Sequence, residues 1–172
     1  MHMLKELWKP QTWLEEQVYM LLRYHGIENP EEIDLLNLCK SYRIEVQLIV
    51  GRSRTHTHPF KQGWYLICID SSLDPVSRRL RIAHEFGHLV LHVGVQPNSC
   101  ELMIEWQESQ INHFVEHLLM PFYMFERLAY KVSFYEAPKY ISQVFMVPEN
   151  VAKKRFDRFV SRMYAKGYSH YI

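Results

Sequence analysis

The stretch Leu80-Arg81-Ile82-Ala83-His84-Glu85-Phe86-Gly87-His88-Leu89-Val90-Leu91 decides how the rest of the chain is read. Leu80, Ala83, Gly87 and Leu91 recur at helical spacing and predict a helix with an apolar stripe. Histidines four apart on a helix lie one turn above each other, so His84 and His88 can both reach one metal ion. Glu85, beside the first histidine, is placed to act on a water at that metal. This is the His-Glu-x-x-His arrangement of zinc hydrolases, and it points to a metal-dependent peptidase. Two surface or capping histidines are the bland alternative. A strand or a proline-broken loop around the motif would favour that alternative, and neither occurs here.

A catalytic zinc takes three protein ligands and keeps one open position, so the third ligand must come from elsewhere in the chain. A second helix is predicted over about Glu101 to Leu119 or Met120, after the loop Pro97-Asn98-Ser99. At 100° per residue, Glu101, Glu105, Glu108 and Asn112 share one sector of it. Glu108 is the best-placed ligand and Glu105 a serious alternative, while the Asn112 amide could orient the ligand carboxylate. His113 and His117 point to the far side. His92 follows His88 at i+4, but three successive ligands along one straight helix would span about 12 Å, too far for one ion. With zinc in place, Glu85 accepts a proton from water and delivers it to the leaving amine.

The bulk composition sets limits on the alternatives. The chain has 172 residues, 48% of them apolar and 23% charged, enough for one folded domain with a small appendage. A net charge of +1 gives no global reason to expect nucleic acid or a membrane surface as partner. The three cysteines, Cys39, Cys68 and Cys100, are far apart, which argues against a disulfide scaffold and suits a reducing cytosol. Met1 to Pro10 lacks the apolar core of a signal peptide, and no apolar run approaches a bilayer span.

Along the chain, Thr12 with Glu15 reads as a capping box for a helix carrying Leu14, Val18, Leu21 and Leu22 up to Gly26. A second helix is expected after Asn29-Pro30, with Asn29 as cap and Ile33, Leu36 and Cys39 facing inward. Ile44 to Val50 begins by alternating and predicts a half-buried strand. Gly51 to Gln62 is polar and contains a proline, so a loop or an irregular edge is expected. Trp64 to Ile69 is nearly all apolar and predicts a central strand. The motif helix should begin at Asp74 or Ser77 and run to Val93, with Gly94 ending it. Pro121 restarts the chain as a helix to about Tyr130. A hairpin follows, Ala137 to Phe145 and Pro148 to Lys166, turning at Met146-Val147-Pro148. The fold class is therefore α+β: a small sheet, a metal helix laid against it and a helical C-terminal half. The expected division is a main domain over 1–132 and a C-terminal helical hairpin over 133–172, packed on the same domain.

Arg79 to His92, together with Glu108-Ser109-Gln110-Ile111-Asn112-His113-Phe114 and Leu118-Leu119-Met120-Pro121, resembles the ImmA/IrrE family of metallopeptidases. That family's pattern is a basic run into Ala-His-Glu-x-Gly-His, then Glu-x-x-Ala-Asn-x-Phe-Ala, then Leu-Leu-Met-Pro. The segments agree in order and spacing. The likeness covers about Pro30 to Pro121 well and the C-terminal third loosely. Ile111 and Val115 stand where the family usually has alanine, so packing around the site should differ. The resemblance favours Glu108 over Glu105 as third ligand and implies a zincin-like active-site helix, Zn2+ and a cytoplasmic location. It also implies a protein substrate, in particular a helix-turn-helix repressor of a mobile element or stress response. The alternative function is a non-catalytic, metal-containing anti-repressor or DNA-binding regulator that acts by binding alone.

Several other residues have two readings. His56 and His58 could reach an oxyanion, but exposed loop histidines are the preferred reading. Tyr65 reads as a core tyrosine rather than an oxyanion donor. Arg78, Arg79 and Arg81 either pair with neighbouring carboxylates, Asp74 and those beside Glu85, or anchor an acidic substrate segment. The hairpin carries Lys153, Lys154, Arg155, Arg158, Arg162 and Lys166, charges a DNA reader would place on phosphates. Val151, Phe156, Phe159, Val160 and Met163 on the same helix favour a scaffold or docking role over DNA. The aromatic cluster around Phe122, Tyr123, Phe125 and Phe134 is expected to fill core.

Overall fold

The computed structural model describes residues 10, 12–91, 101–129, 131–165 and 167. The expected ends at Gly94 and Lys166, the loop at Pro97, and His92 and Cys100 all lie outside them. The described chain is α+β, with seven α-helices and one three-stranded sheet. It groups into two compact units, Ile33–Val115 on one side and Met1–Glu32 with Glu116–Ile172 on the other.

The Ile33–Val115 unit contains the sheet. Helix α2 (Leu35–Ser41) leads into β1 (Ile44–Ile49), then β2 (Arg54–Thr57) and β3 (Tyr65–Asp70). Sheet order is β1-β3-β2, with β1 parallel and β2 antiparallel to β3. Register runs from Ile44 opposite Tyr65 to Ile49 opposite Asp70, and from Arg54 opposite Cys68 to Thr57 opposite Tyr65. Leu66, Ile67, Cys68 and Ile69 of β3 are all buried, as a central strand covered on both faces requires. β2 is an edge of charged and hydroxyl residues, a composition that discourages edge-to-edge association. A strand inside Gly51–Gln62 fits the irregular edge expected there rather than a loop.

One helix differs from expectation. Asn29-Pro30 opens only a single 3-10 turn, Pro30–Glu32, in which Glu32 accepts from the Glu28 and Asn29 backbone N–H groups. The helix proper starts later because Asp34 caps it, accepting from Leu36 and Asn37.

Helix α3 (Pro75–Leu91) packs against β3, and α4 (Glu101–Leu119) supplies residues up to Val115 to the same unit. Asp74 caps α3 by accepting from Val76 and Ser77, with Pro75 in the first helical position. The buried arc of α3 is Ile82, Ala83, Glu85, Phe86 and Gly87. It is displaced from the expected stripe, since Leu80 and Leu91 are only half-buried. Phe86 is the pivot: it meets Tyr42 edge-on at 5.4 Å and Phe114 at 6.2 Å.

The other unit is helical. α1 (Trp13–Tyr24) is capped by Thr12, whose hydroxyl accepts from Glu15 N–H. α5 (Phe122–Ala129), α6 (Ala137–Phe145) and α7 (Glu149–Ala165) follow. Phe122, Phe125, Phe145, Phe156 and Phe159 form its aromatic core, with centroids 5.5–6.4 Å apart. The α6–α7 turn passes through Met146 at φ 53.

Candidate metal centre

The helical rise stacks His84 and His88 on one face of α3, with their Nε2 atoms 3.1 Å apart. α4 brings Glu108 across them. Its Oε2 lies 3.5 Å from His84 Nε2 and its Oε1 3.2 Å from His88 Nε2. Among the described residues, these three form the one group of potential metal donors, with all ligand atoms within 4.8 Å of one another. A tetrahedral ion with bonds of about 2.05 Å separates its ligands by roughly 3.3 Å. The two imidazole nitrogens lie near that spacing, and each is within 3.5 Å of one of the two Glu108 oxygens, so the donor set can converge on a small divalent cation. Burial holds the His84 pKa below its ordinary value, His88 and Arg81 add to the effect, and Glu108 and Glu85 oppose it. The shift favours the neutral imidazole, the form that binds metal.

The close approach of α4 depends on Gly87. A Cβ there would sit 2.8 Å from Phe114 Cδ1 and 3.3 Å from Ile111 Cδ1. The glycine of the motif is thus a point of helix contact. Ile111, one of the two larger residues at usual alanine positions, presses against it with no exposed surface of its own.

Glu85 is buried, and both of its oxygens are engaged. Thr55 Oγ1 donates to Oε2 at 2.6 Å, and the Arg81 guanidinium pairs with Oε1 at 2.7 Å. Sequence reasoning missed Thr55, which lies in a polar stretch 30 residues from its partner. The Arg81 pair was legible as an i,i+4 relation. The other two arginines of the run are spent on backbone carbonyls: Arg78 on Ser71 and Leu73, Arg79 on Ile33.

The remaining candidates separate clearly. Glu105 and Asn112 are exposed, and among the described residues no side-chain hydrogen bond joins Asn112 to Glu108. His56 is exposed on β2, but His58 is not the exposed loop residue expected: its side chain is only 5% exposed. His58 Nδ1 accepts from Phe60 and Lys61 N–H, which leaves Nε2–H to donate to Glu45 at 3.2 Å. It is a turn anchor. On α7, the charges are largely paired within the helical unit. Arg162 donates to buried Glu15 at 3.1 Å, Arg158 pairs with Glu116, and Lys153 pairs with Asp157. Arg155 is buried, donates to Met120 O, and has its pKa lowered by burial to about 10.

A family model described as the IrrE N-terminal-like domain, Peptidase_M78, matches residues 39–157. The phage-like element PBSX protein XkdA of Bacillus subtilis is 30% identical over 149 residues, covering 87% of this chain and 74% of its own. The uncharacterized protein YqaB of the same organism is 24% identical over 150 residues, covering 87% and 86%. A Mycobacterium tuberculosis transcriptional regulator shares the fold at TM-score 0.63 and 18% identity; the match covers 83% of this chain and 45% of that one.

Proposed function

Because the chain belongs to the Peptidase_M78 family, whose model is described as the IrrE N-terminal-like domain, we propose that it is a zinc-dependent endopeptidase acting on a cytoplasmic regulatory protein. The single observation that carries this is the convergence of His84, His88 and Glu108 on one point, with a buried carboxylate next to the first histidine. Those three residues would hold the metal. When bound, zinc supplies Lewis acidity, bringing the pKa of water at the site toward neutrality and polarising a carbonyl.

The chain's own residues do the rest. Glu85 takes the proton of the attacking water and passes it to the leaving nitrogen as the peptide C–N bond breaks. Glu108 has a half-exposed side chain, which leaves the approach to the donor set open to a peptide. A helix-turn-helix repressor of a mobile element is the substrate we favour. The relative XkdA is named for a phage-like element, and the structural neighbour is called a transcriptional regulator. The pairing of the α7 charges argues against the alternative of a DNA reader, because a phosphate-binding helix keeps its cations free.

The test is cleavage of a co-expressed repressor by zinc-loaded protein and by Glu85→Gln. Fragments with the wild type, together with full zinc content but at least a hundredfold slower cleavage in the variant, are expected. A stable, uncut complex with both proteins would instead mean action by binding alone.

A further inference from the structure

The two donors on Glu85 differ in kind. Thr55 is neutral and sits on β2, whose ladder with β3 fixes it in place. Arg81 carries a full charge on a side chain that is 40% exposed. It also occupies Oε1 of a carboxylate that must take a proton. Arg52 and Arg54, exposed on either side of Ser53 just before Thr55, add positive charge, and Gly51–Gly63 contains no acidic residue.

Resting on the peptidase reading, we propose that Thr55 is the fixed anchor of Glu85 and Arg81 a releasable one, drawn off by an acidic side chain of the peptide substrate. A carboxylate can take both arms of the guanidinium, so Arg81 exchanges one charge-assisted pair for another. Glu85 stays in place on Thr55, and Oε1 is then free to accept the proton from water. The proton passes to the leaving amine as the C–N bond breaks and the new C–O bond remains on the acyl fragment. Arg81 is in this account a specificity residue and Thr55 a positioning residue. Arg78 and Arg79 cannot take either part, because their guanidinium groups are already bonded to backbone carbonyls.

The experiment profiles cut sites made by the zinc-loaded full-length protein in a randomised octapeptide mixture. Asp or Glu should be enriched about fivefold at one position near the cut, the worth of a partly exposed charge pair. Arg81→Gln should lose that enrichment. Thr55→Val should lower kcat with KM and the acidic preference unchanged, and Thr55→Ser should restore it. Calorimetry with a non-cleavable reduced-amide peptide gives a readout independent of turnover: its Asp form should bind more tightly than its Asn form to the wild type, and equally to Arg81→Gln. Cleavage without acidic preference, enrichment that survives Arg81→Gln, or a Thr55→Val enzyme equal to wild type would overturn the proposal and leave the peptidase reading intact. A zinc-loaded wild type that cuts nothing would overturn that reading, and the proposal with it.

Discussion

At the scale of the residue, Gly87 shows how one missing carbon sets a functional distance. Alanine is ordinarily favoured over glycine inside a helix by about 1 kcal/mol. Here the added methyl would meet Phe114 at 2.8 Å, and overpacking of this kind costs about 1–3 kcal/mol. Gly87→Ala should therefore destabilise the protein in urea unfolding and weaken zinc binding, since α4 must retreat and take Glu108 with it. A more stable variant would show that the contact is slack. Glu45 offers a second residue-level test. Hydrogen bonds from Lys61 and Gln47, with a smaller one from His58, hold its carboxyl at about 2, below the ordinary 4.5. A depressed acid stabilises the fold above its unfolded pKa, and that stabilisation is lost as pH falls through 4.5 toward 2. The stability gap between wild type and Glu45→Gln should be constant above about pH 5 and close on acidification, as read by urea unfolding at each pH. A gap independent of pH would remove Glu45 as the titrating group. His84, Glu85 and His88 were legible in the sequence because one helical turn relates them. Thr55 was not, because its bond to Glu85 is made by tertiary packing alone.

At the scale of the element, the legible helices were those whose ends are fixed locally. Thr12 caps α1 and Asp74 caps α3 as their sequences advertise. Asn29-Pro30 advertised a helix start equally well, yet Asp34 starts α2, because a cap only matters where the following residues can bury a face. β2 was hard to see because an edge strand is held by backbone bonds to one neighbour and needs no apolar side chains. The parallel pairing of β1 with β3 was not legible at all, since register between distant segments leaves no local trace. The hairpin α6–α7 turns through Met146, an exposed residue in the left-handed region at φ 53. A side chain there costs about 1–2 kcal/mol relative to glycine. Met146→Gly should raise the unfolding free energy measured in urea by about 1 kcal/mol or more; a loss of stability would mean that the methionine side chain contributes more than its backbone conformation costs.

At the scale of the whole molecule, the ligand set draws on α3 and on the part of α4 up to Val115, both within one compact unit, Ile33–Val115. Periodicity alone left Glu105 and Glu108 both open, because a helix face is wider than one residue. The choice between them is made by where α4 crosses α3, at the Gly87 contact. The arrangement accounts for why the histidines, the base and the acidic ligand fall where they do along the chain. The most direct test is the zinc content of purified wild type and Glu108→Ala after dialysis against a weak chelator. One ion per wild-type chain and at most about a tenth of that in the variant is the result expected of a three-ligand centre. Full zinc retention by Glu108→Ala would contradict it.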